Sequence, residues 1–326
     1  MLHLKKKRRE IKMLTTDRFF HGHDKQTAFF EGWYHKHQIG EEVYAFIPGL
    51  SIQEDGTKEV FIQVINHEGA HYFSFPETDF QVSEEERKVT IGDNIFSEAG
   101  IQVSLKNNDL QVQGAVKYND HKPIQRTRYA PSIMGPFSYL SFMECYHGVL
   151  SMSHTLEGTL YWNEEPIDFT NGIGYLEKDW GTSFPAAYIW VQCNSFDAPD
   201  VRFFFSAADI PFAGFAFLGT ICVLQVGSQE YRFATYHGAK IHDVKRTEDR
   251  LVIHLKQKQW LLTIEVLTKE GHSLLAPSIG QMNRIIRESA STEIALTLLE
   301  NGQEILRQTG TSAGFEEVAN LRGFHY

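Results

Sequence analysis

Apolar and polar residues alternate with a period of two along most of the chain, and β-branched and aromatic residues fill the apolar positions. The pattern predicts strands over 28–37, 42–51, 59–65, 70–75, 87–91, 101–106 and 110–118. Turn residues separate them at Ile39-Gly40-Glu41, Glu54-Asp55-Gly56, Asn66-His67-Glu68-Gly69 and Asn107-Asn108-Asp109. Strand, tight turn and strand at this spacing make a meander of hairpins. Residues 120–136 interrupt it with Pro123, Pro131, Gly135 and Pro136, which predicts a long connection of the kind often tied to function. Strands resume at 139–151 and 157–162. A second series covers 172–179, 187–194, 201–207, 215–226, 230–236, 239–244, 251–255, 260–267 and 293–299. Residues 279–288 read as a short helix. With about eight antiparallel strands in each half, an apolar inner face closes into a barrel or folds into a sandwich. The economical expectation is an all-β fold of two consecutive β-barrels. Residues 1–18 are then a flexible basic tail, 19–165 the first barrel and 166–326 the second.

The same alternation sorts the chemistry, because side chains two apart share a face. In Gly174–Gly181, Tyr175, Glu177 and Asp179 point one way and Leu176, Lys178 and Trp180 the other. In the next strand Tyr188, Trp190, Gln192 and Asn194 share a face, opposite the apolar Ile189, Val191 and Cys193. An aromatic, amide-bearing face suits a ligand that is part ring and part hydrogen-bonding oxygen. Glu177 and Asp179 on one face repel when both are ionised, which drives one of them toward its protonated form. A carboxylic acid kept neutral near pH 7 can protonate a poor base such as an alkene. The competing reading is a salt-bridged pair with Lys178 or an arginine. A second cluster runs from Phe29 to His37. There Glu31, Trp33, His35 and His37 fall on one face, and Gly32, Tyr34 and Lys36 on the other. His35, His37 and Glu31 offer the donor types of a metal site, as in a cupin-like enzyme, although His-x-His arises readily by chance among 15 histidines. Gln63 is placed to face a lumen.

Composition narrows the partners. The chain of 326 residues carries a net charge of −10, which argues against a general nucleic-acid binder. Its one basic patch, Lys5-Lys6-Lys7-Arg8-Arg9, reads as a solvated tail, with weak attachment to anionic lipid heads as the alternative. No apolar core follows these charges as in a signal peptide, and no run approaches the roughly 18 apolar residues of a membrane span. Cys145, Cys193 and Cys222 form neither a disulfide framework nor a zinc signature. A cytoplasmic protein is the resulting expectation. No phosphate loop and no nucleophile elbow is present.

Several motifs together are similar to those of the tocopherol cyclase family. They are Phe30-Glu31-Gly32-Trp33-Tyr34-x-Lys36, Ala45-Phe46-Ile47-Pro48-Gly49 and Phe61-Ile62-Gln63-Val64, then Glu177-Lys178-Asp179-Trp180-Gly181, Phe184-Pro185 and Trp190-Val191-Gln192-Cys193-Asn194. The resemblance implies two lipocalin-like β-barrels, with carotenoid hydratases as distant architectural relatives. It also implies cofactor-independent chemistry, with no metal. A prenyl alkene is protonated and a phenol oxygen closes on the tertiary cation to give a chromanol ring. Carried onto this chain, the acids are Asp179, Glu177 and Glu31. Trp33, Trp180 and Trp190 stabilise the cation through their π faces, and Tyr34, Gln192 and Asn194 orient the quinol oxygens, with Gln63, Tyr175 and Tyr188 completing the pocket. The expected partner is an apolar, prenylated or isoprenoid-like small molecule. A non-catalytic lipocalin-like carrier would need the same pocket without the proton donor.

Overall fold

The computed structural model describes residues 17–212 and 214–324. The Lys5–Arg9 run lies outside these residues. Asp17, expected in a flexible tail, is instead fully buried, with its Oδ1 accepting a hydrogen bond from Arg126 at 2.5 Å.

The first part of the chain gives β1 (Phe29–Ile39), β2 (Glu42–Ile52), β3 (Lys58–Ile65), β4 (Ala70–Phe75), β5 (Phe80–Ser83) and β6 (Lys88–Ile91). It continues with β7 (Asn94–Ser97), β8 (Gly100–Lys106), β9 (Gln111–Asn119), β10 (Cys145–Trp162), β11 (Glu165–Asp168) and β12 (Ile173–Gly181). Among the described residues these form one 12-stranded antiparallel sheet in the order β4-β3-β2-β1-β12-β10-β9-β8-β7-β6-β5, with β11 attached to β10. The remainder gives β13 (Tyr188–Cys193), β14 (Val201–Phe212), β15 (Phe215–Val226), β16 (Gln229–Ala234) and β17 (Lys240–Arg246). It ends with β18 (Arg250–Gln257), β19 (Trp260–Leu267), β20 (His272–Ser278), β21 (Gln281–Glu300) and β22 (Gln303–Val318). These build a 10-stranded sheet in the order β16-β15-β14-β13-β22-β21-β19-β18-β17, with β20 on β21.

The all-β, two-part expectation is met, with three differences. First, the sheets are open. Among the described residues no ladder joins β4 to β5 or β16 to β17. Each sheet nevertheless curls around its own apolar cluster. The first cluster takes Phe73 from β4 and Val89 from β6, near opposite ends of the sheet, and the second centres on Phe203, Phe205, Leu262 and Leu296. Second, β12 sits between β1 and β10, so pairing passes from one sheet to the other between Gly181 and Tyr188, later than the boundary expected at 165/166. Linear spacing cannot reveal that a strand returns to the first sheet. Third, residues 281–288 are strand, entered through a turn at 279–280. The spacing of Met282, Ile285 and Ile286 imitates a helical face, but the segment pairs with both β20 and β22.

A third apolar cluster fills the space between the sheets. It draws Tyr34, Ala45, Val149 and Tyr175 from the first sheet and Trp190, Phe204, Val223 and Ile286 from the second. Strand alternation makes this possible. On β14, Phe203 and Phe205 enter the sheet's own core while Phe204 faces the partner sheet. On β13, Ile189, Val191 and Cys193 face the core while Tyr188 and Trp190 face the partner.

Candidate functional site

A cleft with about 1330 Å³ of empty space, counted out to its solvent mouth, lies between the two sheets. Its walls come from both. Tyr34, Gln63, His147, Glu177 and Asp179 belong to the first sheet, and Tyr188, Trp190, Glu288 and Glu316 to the second. The remaining lining is mostly apolar, including Phe30, Phe61, Met134, Phe137, Phe184 and Phe217.

Cross-strand register assembles the polar end, since directly opposed residues of an antiparallel pair share a face. Tyr34 of β1 opposes Glu177 of β12, and His147 of β10 opposes Asp179. On the second sheet Glu288 of β21 opposes Glu316 of β22, which in turn opposes Trp190 of β13. Close approach matters at one glycine. A Cβ on Gly314 would stand 2.6 Å from the Trp190 ring, so only glycine there leaves room for the indole.

The first-sheet acids surround an imidazolium. His147 Nδ1 donates to Asp179 Oδ1 at 2.7 Å, and its Nε2 lies 3.3 Å from Glu177 Oε2. Burial disfavours the charged ring, but Asp179 and Glu177 outweigh it and raise the His147 pKa to about 10. Glu177 Oε2 also accepts from the Tyr175 hydroxyl at 2.5 Å and from Trp190 Nε1 at 3.2 Å. His147, Glu177 and Asp179 each offer one ligand atom within 4.8 Å of the others. A metal ligand must be a neutral imidazole, however, and the carboxylates hold this ring protonated. The trio is an ion cluster in this state.

The second-sheet acids are different. Glu288 is fully buried, and its Oε1 accepts from the Tyr34 hydroxyl at 2.5 Å. Its Oε2 has no partner among the described residues. Burial, then the charge of Glu177, raise its pKa to about 7 against the opposing Tyr34 hydroxyl and Lys36. Glu316 Oε2 accepts from the Tyr188 hydroxyl at 2.6 Å, and burial and then Glu288 push its carboxyl well above the usual range. An unpartnered, buried carboxylate oxygen is costly when charged and acceptable as O–H. The pair therefore holds a proton near neutral pH.

Sequence reasoning named neither His147, Glu288 nor Glu316. The signal was present, because all three oppose acids across a ladder, but register between distant strands is not written in spacing. Of the residues it did name, Tyr34, Gln63, Glu177, Asp179, Tyr188 and Trp190 meet in the cleft. Tyr175 stands one layer behind, against Glu177. Gln63 spends its amide on the Leu275 backbone, donating to its O at 2.9 Å and accepting from its N at 2.8 Å, which clasps the sheets together.

The others lie elsewhere. Glu31 is fully buried and paired with Lys178, and it also accepts from the His21 backbone at 2.7 Å. Burial works against its charge, but Lys178 and His21 prevail and hold its carboxyl below the usual value. It lines no part of the cleft, so it is placed to hold structure and not to donate protons. Trp33 and Trp180 flank the Lys178 ammonium at 5.1 and 5.0 Å. Trp33 reaches the cleft wall, whereas Trp180 stacks on His21 in the first core. The cation these rings face is thus the protein's own. Gln192 accepts from Lys36 Nζ at 2.9 Å and Asn194 donates to Gly174 O at 2.8 Å, both behind the cleft. Burial lowers the Lys36 pKa to about 8. His35 and His37 share Tyr118, with the Tyr118 oxygen 3.1 Å from His35 Nδ1 and 2.7 Å from His37 Nε2. Burial keeps both rings neutral, His37 at about 4. They do not join Glu31 in a metal site, because Glu31 is engaged with Lys178 and His21.

Fold and site define an all-β protein of lipocalin-like architecture with an acid-lined cleft between its two sheets. The profile of the tocopherol cyclase-like family matches residues 77–319, about three quarters of the chain, and the chain belongs to that family. It is 28% identical over 153 residues to a protein named "Probable tocopherol cyclase, chloroplastic" from Oryza sativa subsp. japonica, covering 44% of this chain and 30% of that protein. It is 34% identical over 65 residues to a chloroplastic tocopherol cyclase of Zea mays, covering 20% of this chain and 14% of that one. The chain thus matches less than a third of the length of these curated relatives. Among solved structures, one assigned as AttH from Nitrosomonas europaea superposes with a TM-score of 0.52 at 12% identity, over 89% of this chain and 93% of that one. This last likeness concerns the fold alone. No helix among the described residues is long and apolar enough to cross a membrane.

Proposed function

We propose that the protein is a cofactor-independent, acid-catalysed cyclase acting on a prenylated quinol or a similar apolar substrate. The observation that carries this reading is Glu288, a buried acid in the cleft wall with one oxygen held by Tyr34 and the other without a partner among the described residues. In the proposed step the Glu288 proton passes to the less substituted carbon of a prenyl alkene. The alkene electron pair forms the new C–H bond and leaves a tertiary cation. The phenol oxygen bonds to that cation, and its proton returns to the carboxylates. Substrate and product are isomers, so no oxidant or co-substrate is consumed. The carboxylates of Glu177 and Asp179 and the faces of Tyr34, Tyr188 and Trp190 supply negative potential where positive charge develops. The apolar lining keeps out water, which would otherwise trap the cation as an alcohol. Family membership supports the reaction class.

The test is incubation of the purified protein with a prenylated hydroquinone in D₂O. The expected product is the cyclic ether with one deuterium at the former alkene carbon, and Glu288→Gln slows its formation by about 10²–10⁴. A carrier would bind the quinol and return it unchanged and undeuterated, which would refute the proposal.

A further inference from the structure

The cleft holds more acid than cyclisation of a neutral substrate uses. Among the described residues that line it, Glu177, Asp179, Glu288 and Glu316 are acids, His147 is the one basic side chain, and none is lysine or arginine. His147 answers the first-sheet pair, 2.7 Å from Asp179 and 3.3 Å from Glu177. The second-sheet pair has no such answer among the described residues. Glu288 is fully buried, and its Oε2 lacks a partner there. A buried carboxyl pair in that position either keeps a proton or meets a cation. The protein keeps the proton, and a ligand can bring the cation.

A second observation defines the kind of cation. Aromatic rings stand around these acids. Tyr34 meets Trp190 edge to face with centroids 5.5 Å apart, Tyr188 meets Phe184 at 6.0 Å, and Phe184 meets Phe30 at 5.3 Å. All five rings line the cleft. Ring faces attract alkylammonium groups, whereas a hard metal ion needs about six oxygen ligands that rings cannot supply. Beyond the acids, Met134, Phe137 and Phe217 offer an apolar wall to an alkyl chain.

We propose that the cleft binds tertiary and quaternary alkylammonium ions, with the ammonium head between the Glu288–Glu316 pair and the rings of Tyr34, Tyr188 and Trp190, and the chain along the apolar wall. The site is the one assigned to cyclisation, but this ligand class does not depend on turnover there. Charge balance gives the binding a signature. The cation takes the place of the proton held by the pair, and that proton leaves to solvent. The Glu288 carboxyl stands at about 7, so affinity for the cation rises with pH through that value. The groups facing the pair are Tyr34 and Lys36 of β1, Glu177 and Asp179 of β12, and Tyr188 of β13. Lys36, lowered by burial to about 8, also titrates in this range, but its ammonium is turned to Gln192 Oε1 and Ser312 O.

The test uses calorimetry on the full chain with three probes of one tail, octyltrimethylammonium, 1-octanol and octanoate. The wild type at pH 8 is expected to bind the ammonium about tenfold or more tighter than octanol, and octanoate more weakly than octanol. Ammonium affinity is expected to rise about tenfold from pH 6 to pH 8. Titrations in two buffers of different ionisation heat are expected to show about one proton released per ammonium at pH 6 and fewer at pH 8. Glu288→Gln with Glu316→Gln is expected to erase both the preference and the proton release, whereas release from Lys36 would survive it. An ammonium that binds the wild type no tighter than octanol overturns the proposal. So does a preference that survives in the double variant, since the acidic surface would then be the binder. Turnover of a prenylated hydroquinone without ammonium preference overturns this proposal alone. Ammonium preference without turnover supports it and overturns the cyclase reading alone.

Discussion

Replacing Glu288 by glutamine separates reactivity from stability. Glutamine keeps the shape and leaves an oxygen to accept from Tyr34, but it carries no titrating proton. In the wild type, burial and then the neighbouring Glu177 raise the Glu288 pKa from 4.5 to about 7. As pH rises between those values the unfolded chain gives up this proton and the folded chain keeps it. Folded protein then binds more protons than unfolded, so stability falls with pH. The contribution is fully present below about 4.5 and is lost as pH rises through about 7. At about 1.4 kcal/mol per pH unit, the interval amounts to about 3 kcal/mol. Glutamine has no such dependence. Glu288→Gln is therefore expected to match the wild type within about 1 kcal/mol at pH 4.5 and to exceed it by about 3 kcal/mol at pH 8. Glu316 titrates together with Glu288, so the measured gain belongs to the pair. Urea denaturation midpoints across this pH range provide the assay, alongside turnover, which is expected to fall by about 10²–10⁴. A variant no more stable than wild type at pH 8 would refute the reasoning, whatever its activity.

Three further substitutions probe the rest of the cleft and its supports. His147→Gln removes the cation between Glu177 and Asp179 and is expected to destabilise by about 3 kcal/mol at pH 6. Because the His147 pKa stands at about 10 against an ordinary 6.5, its stabilisation is complete below 6.5 and lost as pH rises through 10. The deficit measured by urea midpoints is accordingly expected to shrink toward pH 10. Lys178→Met strands Glu31 without its partner and is expected to lower stability by about 3–5 kcal/mol, while turnover per folded molecule in a substrate assay stays unchanged. Gly314→Ala drives a methyl into the Trp190 ring and is expected to cost about 1–3 kcal/mol, with a shifted tryptophan emission and a raised KM.

Faces were legible in the sequence and register was not. The split of β12 into Tyr175-Glu177-Asp179 against Leu176-Lys178-Trp180, and of β13 into Tyr188-Trp190 against Ile189-Val191-Cys193, follows from the period of two and survives in the structure. What alternation cannot say is which strand lies alongside. His147 matters because β10 pairs with β12 in the register that sets it opposite Asp179. Glu288 and Glu316 matter because β21 meets β22 with the two acids face to face. His147 lies in a segment that read as ordinary strand, Glu288 in one that read as helix, and Glu316 beyond the last strand expected, at 293–299. Glu31 failed in the opposite way. Its strand and side were read correctly, beside Trp33 and opposite Tyr34, but that side faces the interior of the first sheet, where Lys178 waits. Which face of a doubly covered strand meets the ligand depends on where the second sheet lies.

The division of charge between the sheets explains why a proton is stored here. Both sheets present two acids to the cleft. The first sheet answers its pair with His147, which lies within 3.3 Å of Glu177 and 2.7 Å of Asp179. Among the described residues the second-sheet pair meets tyrosine hydroxyls only, from Tyr34 across the cleft and from Tyr188 on its own sheet. The nearby cation, Lys36, spends its ammonium on Gln192 Oε1 at 2.9 Å and Ser312 O at 2.6 Å. Opposed like charges on a ladder are unfavourable, and a neutral hydroxyl cannot cancel them. The remaining remedy is a proton. A lysine or histidine within ion-pair reach of Glu288 would stabilise the fold at pH 8 and leave the cleft without its acid. Among the described residues no cation pairs directly with Glu288 or Glu316 and Glu288 Oε2 has no partner, and on the proposed mechanism this is what fits the buried carboxyl pair to donate a proton.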